Sequence, residues 1–190
     1  MGCLTMVMAG LAALGEMDIK KIVALSTLRQ LGVIMATIGA GLPTLGFFHL
    51  LSHAYFKALL FITIGAMIHI SRDYQDLRKV SLLPSISPST FSFSVVANLS
   101  LCGIPFTRGF YSKDACIEGA LGSYLRASLI VIFIVATALT SRYTARLLVY
   151  LGLSVNWTNP LIWSNDRDNF ILGAKVMLAP LALAGGRFLS

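Results

Sequence analysis

The chain has 190 residues, 56% of them hydrophobic and only 12% charged, with mean hydropathy +0.79. A soluble domain carries about twice that charged fraction. The 15 Lys plus Arg against 8 Asp plus Glu leave a net +7, but the charges stand singly or in small knots between long uncharged runs; this pattern is a membrane protein's and excludes a secreted miniprotein, a disordered tail and a nucleic-acid-binding domain.

Residues 30–56 and 80–107 carry no Asp, Glu, Lys or Arg. Each run exceeds the roughly 20 residues that cross a bilayer. In chain order, a first apolar helix over residues 1–15 ends in the polar turn Glu16-Met17-Asp18. No Lys or Arg precedes it, so it reads as a transmembrane helix and not as the core of a signal peptide. Asp18 suits the N-cap of a second helix over 19–40, which Gly39, Gly41 and Pro43 stop. A third helix over 44–70 is closed by the polar loop Arg72 to Lys79. A fourth apolar segment from residue 90 runs into Gly103-Ile104-Pro105, where the proline removes a backbone donor and breaks the helix; Phe110 to Ala120 resumes it as a second half. A fifth span over 125–150, a polar stretch over 154–168 and a last apolar segment over 169–186 complete the chain. The expected fold is all-α, a polytopic transmembrane bundle of about six spans with one helix broken at Gly103-Pro105.

If the segments alternate, Lys20, Lys21, Arg72, Arg78 and Lys79 share one side with Arg146 near it, and the uncharged turn at 40–45 lies on the other. The basic side is then the matrix or cytoplasmic one. Arg108, Lys113 and Arg126, around the break, are left open between an interfacial and a buried place. Cys3, Cys102 and Cys116 are odd in number and lack metal-ligand spacing, so they count as small apolar residues. The sequon Asn156-Trp157-Thr158 carries no weight without a secretory signal.

The third helix carries the chemistry. His49, His53 and Lys57 follow each other at i, i+4, i+8, so they share one face with about 6 Å of rise between neighbours. Lys57 sits near the middle of its span, where an ammonium costs about 2.5–3.5 kcal/mol by insertion scales unless it faces a protein interior or a wet cavity. Two imidazoles and an amine in a row can hold and pass protons through intervening waters, since His titrates near neutrality. One such His alone reads as a satisfied core residue. Two with a mid-span Lys on one face favour function.

The second site is Gly103-Ile104-Pro105-Phe106 followed by Tyr111-Ser112-Lys113-Asp114. A helix broken in mid-membrane exposes carbonyls and amides that line ion paths, and Lys113 with Asp114 just beyond it makes a titratable pair. Spacing alone leaves this reading level with a surface loop bearing ordinary charges. Lys20 and Lys21 read as headgroup anchors, Arg29 as snorkelling or paired with a carboxylate of another chain, and Gln75 to Lys79 as a solvated charge knot in preference to a docking segment.

These stretches resemble one family. Asp18-Ile19-Lys20-Lys21-Ile22-Val23-Ala24-Leu25-Ser26-Thr27 with Gln30-Leu31-Gly32, the run His49 to Phe61, His69, Gln75 to Lys79, Gly103 to Phe106 and Gly109 to Asp114 are similar to the chain 5 family of NADH:ubiquinone oxidoreductase, antiporter-like subunits of respiratory complex I. The likeness covers residues 1–120 closely and Thr140 to Tyr150 more loosely.

The resemblance implies two inverted five-helix repeats, of which residues 1–150 form the second, with 151–190 as a polar connector and a further transmembrane helix. It implies that Lys57, Lys113, His49, His53 and Asp114 belong to a proton pathway, with Lys113 at the broken helix. It further implies a multi-pass place in the mitochondrial inner membrane, and membrane-arm subunits and the lipid bilayer as partners, with no nucleic acid and no work as a monomer. No cofactor or metal is expected in this chain: NADH, FMN, iron–sulfur clusters and ubiquinone belong to partner subunits. Family members carry a small or polar residue where Arg29 stands and a small one where Arg108 stands, and the first repeat lies outside the chain. Two other readings stay in view, a subunit of a multisubunit cation/proton antiporter and a truncated, non-functional partial product.

Overall fold

The computed structural model describes residues 1–71, 74–80, 84, 87–105, 107–121, 127–153 and 169–184. Among them are seven helices: α1 (Gly2–Gly15), α2 (Ile19–Gly39), α3 (Pro43–Ile70), α4 (Pro88–Cys102), α5 (Arg108–Leu121), α6 (Ala127–Leu153) and α7 (Asn169–Ala184). Arg72, Phe106, Arg126 and the polar stretch 154–168 lie outside the described residues. Three helical stretches, Ile19–Gly39, Pro43–Ile70 and Ile130–Gly152, are each long and apolar enough to cross a membrane; the apolar helices at Gly2–Gly15 and Ile171–Leu183 are shorter. The broken span is the pair α4 and α5. The protein is an all-α, integral membrane helical bundle.

Two left-handed glycines end helices by the same device. Gly41 and Gly103 both have φ +80°, a conformation that glycine adopts without a Cβ clash. At the end of α2, Leu42 N–H donates to the Thr37 carbonyl at 3.2 Å and Gly41 N–H to Ile38 at 2.9 Å. At the end of α4, Ile104 N–H donates to Leu99 at 3.3 Å and Gly103 N–H to Ser100 at 3.3 Å. Each is a Schellman closure, which turns the chain out of the helix while pairing carbonyls left over from its last turn. At α4 it leaves the Leu101 and Cys102 carbonyls for another donor.

A core of Ile22, Val23, Phe56, Leu59, Ala97, Leu101, Tyr143 and Leu147, among others, binds α2, α3, α4 and α6 together. A second cluster, Met6, Val33, Ala36, Phe133 and Ala136, packs α1 and α2 against α6. Between α1 and α2 the backbones nearly touch: a Cβ on Gly32 would lie 2.9 Å from the Gly2 carbonyl oxygen, the close approach that small residues permit between membrane helices. Arg146 of α6 donates to the Ala13, Leu14 and Glu16 carbonyls. It thereby caps the C-terminus of α1 with a cation, where both the orphan carbonyls and the helix dipole favour one.

Two local expectations change. Asp18 occupies the N-cap of α2 but makes no side-chain cap hydrogen bond; its carboxylate pairs with Lys21 at 2.9 Å instead. The segment Gln75 to Lys79 is docked, not merely solvated. Ile19 N–H donates to Gln75 O at 2.9 Å and Leu77 N–H to Met17 O at 3.0 Å, while Leu77 and Val80 are buried in the main core. The apolar residues within the charge knot, not its charges, decide its position.

Candidate proton-relay site

Helical spacing brings His49, His53 and Lys57 to one buried face of α3, as expected from the sequence, with 0%, 7% and 4% relative exposure. The His49 and His53 rings stand 6.5 Å apart between centroids, and Phe56 meets the His53 ring edge-on at 5.4 Å. Lys57 reaches α2, where its ammonium donates to the Val23 carbonyl at 3.2 Å and to the Ser26 hydroxyl. Ser26 in turn donates back to Val23 at 2.7 Å. His49 spans two neighbours: its Nε2 lies 3.2 Å from Gln30 Oε1 of α2, and its Nδ1 lies 3.1 Å from Ser112 Oγ of α5. His53 Nε2 is buried without a hydrogen-bond partner.

Lys113 is 8% exposed and is buried, not interfacial. Its ammonium donates to the Leu101 carbonyl, and to Cys102 at 3.2 Å. These are the two carbonyls that the Schellman closure of α4 leaves free, so the cation of the second half-helix caps the first at its negative end. The break thus creates the seat for Lys113. A tight approach of α5 to α4 holds that geometry, since a Cβ on Gly109 would fall 1.8 Å from the Ser100 carbonyl oxygen. Asp114 is half-buried. Consecutive helical residues diverge by about 100°, and the ion pairs among the described residues join Lys21 to Glu16 and Asp18, not Lys113 to Asp114.

A water-sized cavity of about 10 Å³ lies beside these groups, lined by Arg29, Gln30, Lys113, Cys116 and Thr137 together with apolar residues of α2, α5 and α6. This is about the space one water needs.

Among the described residues, the buried side chains of the Asp, Glu, His, Lys and Arg types are all basic: Arg29, His49, His53, Lys57, Arg108, Lys113 and Lys175. Arg29 is buried and does not snorkel, and among the described residues no carboxylate pairs with it. It donates to the Ala136 carbonyl and lies 5.8 Å over the Tyr143 ring, while its Nε and Nη1 are buried without partners. Arg108 stacks 4.4 Å over the Tyr55 ring and reaches the Leu181 carbonyl at 3.4 Å. Orphaned buried donors cost about 1–3 kcal/mol each. Arg29→Met, which keeps most of the buried volume while removing the orphaned donors, is therefore expected to raise the unfolding free energy by roughly 1–2 kcal/mol, read as a higher melting temperature in detergent; a lower one would contradict this account of Arg29.

Spacing along one helix did not identify Gln30, Ser112 and Ser26, because their roles arise between helices. Lys175 of α7, which donates to Thr90 Oγ1 of α4 at 2.7 Å, also went unread; its only sequence signal is a lone Lys within the apolar run 169–184.

A family model described as "NADH:quinone oxidoreductase/Mrp antiporter, TM" matches residues 1–140. NADH-ubiquinone oxidoreductase chain 5 of Locusta migratoria is 43% identical over 189 residues, covering 100% of this chain and 33% of that protein. The same-named protein of Phoca vitulina is 39% identical over 186 residues, covering 97% and 30%. The chain thus spans about a third of the length of these curated relatives. A chain in the solved Mrp complex from Dietzia sp. shares the fold, with a TM-score of 0.79 at 24% identity, covering 99% of this chain and 44% of that one.

Proposed function

Because the chain belongs to the NADH:quinone oxidoreductase/Mrp antiporter transmembrane family, we propose that it supplies the second inverted repeat of the proton-translocating membrane subunit of NADH:ubiquinone oxidoreductase. In this reading residues 1–150 form the repeat, 151–190 add a connector and a further helix, and the setting is the mitochondrial inner membrane. Other membrane-arm subunits are its partners. Redox cofactors sit in those partners, and the chain handles protons only.

One observation carries the reading: a buried face of His49, His53 and Lys57 on α3, joined through Ser112 to the helix break where Lys113 caps α4. Lys57 and Lys113 are the proton-holding groups, each seated on backbone carbonyls that remain when its proton leaves. His49 and His53 lie on that line as rings whose two nitrogens can each donate or accept a proton. Asp114, turned away from Lys113 along α5, passes the proton outward. A cluster of buried bases without a buried carboxylate among the described residues holds charge only when an anion approaches or water enters. A state change in the surrounding subunits that alters either one moves protons onto and off the lysines.

The family likeness equally includes the multisubunit cation/proton antiporter, and transport chemistry separates the two. Membrane vesicles bearing the complete complex are expected to acidify on NADH oxidation by quinone at a rate unaffected by replacing Na⁺ with choline. Transport that requires Na⁺ and ignores NADH would establish the antiporter reading instead.

A further inference from the structure

Both ring nitrogens of His49 end on groups that can donate or accept. The residue has no solvent exposure, so whichever nitrogen carries a proton, its partner must come from the protein. Gln30 offers an amide with an acceptor oxygen and a donor nitrogen, and Ser112 offers a hydroxyl that does both. Ser112 also has a second acceptor, the Gly109 carbonyl at 3.4 Å. Gln30 Nε2 lies buried without a partner while Gln30 Oε1 faces the ring.

Three proton arrangements then fit the same ring and hydroxyl oxygen positions, one of them with the amide turned end for end. With the proton on Nε2, the ring donates to Gln30 Oε1 and accepts the Ser112 hydroxyl at Nδ1. With the proton on Nδ1, the ring donates to Ser112 Oγ, the hydroxyl turns to Gly109 O, and a half-turn of the amide brings the orphaned Gln30 Nε2 to donate to ring Nε2. With both nitrogens protonated, the ring donates to Gln30 Oε1 and to Ser112 Oγ, and the hydroxyl again points to Gly109 O. The first and third differ by one proton, gained or lost at Nδ1. The second and third differ by one proton at Nε2. A proton gained at one nitrogen and lost from the other leaves the opposite tautomer, which returns by a half-turn of the ring or by a proton travelling the other way; in each state the amide and the hydroxyl turn so that both ring nitrogens stay paired.

We propose that Gln30 and Ser112 are positioning residues that clamp His49 from α2 and α5 and keep both of its ring nitrogens paired in every protonation state, Ser112 by swinging its hydroxyl between the His49 ring and the Gly109 carbonyl at the helix break. This rests on the proton-relay reading above. It adds two side chains from other helices to the α3 line, and it ties the state of His49 to the segment that seats Lys113.

Ser112→Ala deletes one oxygen atom, and Gln30→Met keeps nearly the same volume without polar atoms. In the full-length subunit within its complex, proton uptake per NADH oxidised by vesicles is expected to drop roughly fivefold or more in each variant. The solvent deuterium effect on pumping should rise, because rearrangement of the hydrogen bonds becomes limiting. Ser112→Thr, which keeps the hydroxyl, should restore pumping and the ordinary isotope effect; a packing role for Ser112 would not make that distinction. His49→Ala is the reference. If it abolishes pumping while Ser112→Ala and Gln30→Met pump normally, the clamp is wrong and the relay stands. If His49→Ala itself pumps normally, the relay reading fails and the clamp with it. Should Gln30→Met not assemble, the contrast between Ser112→Ala and Ser112→Thr decides alone.

Discussion

Gly109→Ala is expected to prevent the two halves of the broken helix from docking. The new Cβ would stand 1.8 Å from the Ser100 carbonyl oxygen, far inside contact distance, and the atom it meets is backbone. No rotamer change relieves such a clash, so α5 must shift away from α4 at a cost of about 3 kcal/mol or more. Lys113 would leave the Leu101 and Cys102 carbonyls as it moved. Assembled protein and its melting temperature in detergent should both fall steeply. Gly65→Ala provides the contrast, since nothing lies within 4 Å of a Cβ at that position of α3; replacing a mid-helix glycine there should add about 0.5–1 kcal/mol. Equal tolerance of the two substitutions would mean that the α4–α5 contact does not hold the break.

The second large effect belongs to the buried lysines. Lys57→Ala or Lys113→Ala in the full-length subunit is expected to lower proton uptake per NADH oxidised by about a hundredfold, the lower end of what a positioned proton donor contributes. Part of any change will be structural, because each ammonium pairs with backbone carbonyls, and an abandoned buried carbonyl costs about 1–3 kcal/mol. Lys113 carries more of this burden, since it caps the end of α4. Melting temperature, measured beside pumping, separates the two contributions: a relay residue loses pumping at temperatures where the variant is fully folded. Unimpaired pumping in both variants would remove the lysines from the pathway.

What could be read beforehand follows from the kind of information each feature carries. The face of His49, His53 and Lys57 was legible because i, i+4 spacing is a property of one helix, and a mid-span ammonium needs a polar seat wherever the neighbours lie. The break at Gly103-Pro105 was legible because proline and left-handed glycine act on their own backbone. Their consequence, a cation on the freed carbonyls of α4, was only half visible: Lys113 stood out, but neighbours in sequence suggested a partnership with Asp114, and helical geometry turns the two side chains apart. Contacts between helices were not legible at all. Gln30 and Ser112 meet at His49 from 19 and 63 residues away, and Arg146 closes the end of α1 across more than 100 residues; both depend on rotational register, which composition does not encode. The loop around Leu77 was misread for a related reason. Its charges dominate the sequence, while two apolar residues fix its place.

In the proposed mechanism Lys57, the histidines and Lys113 lie on one proton path. A double variant tests it most directly. If one path serves both lysines, Lys57→Ala combined with Lys113→Ala should leave proton uptake per NADH oxidised no lower than the worse of the two single variants, because a path already cut cannot be cut again. Pumping in the double variant that equals the product of the two single losses would place the lysines on independent routes and contradict the account.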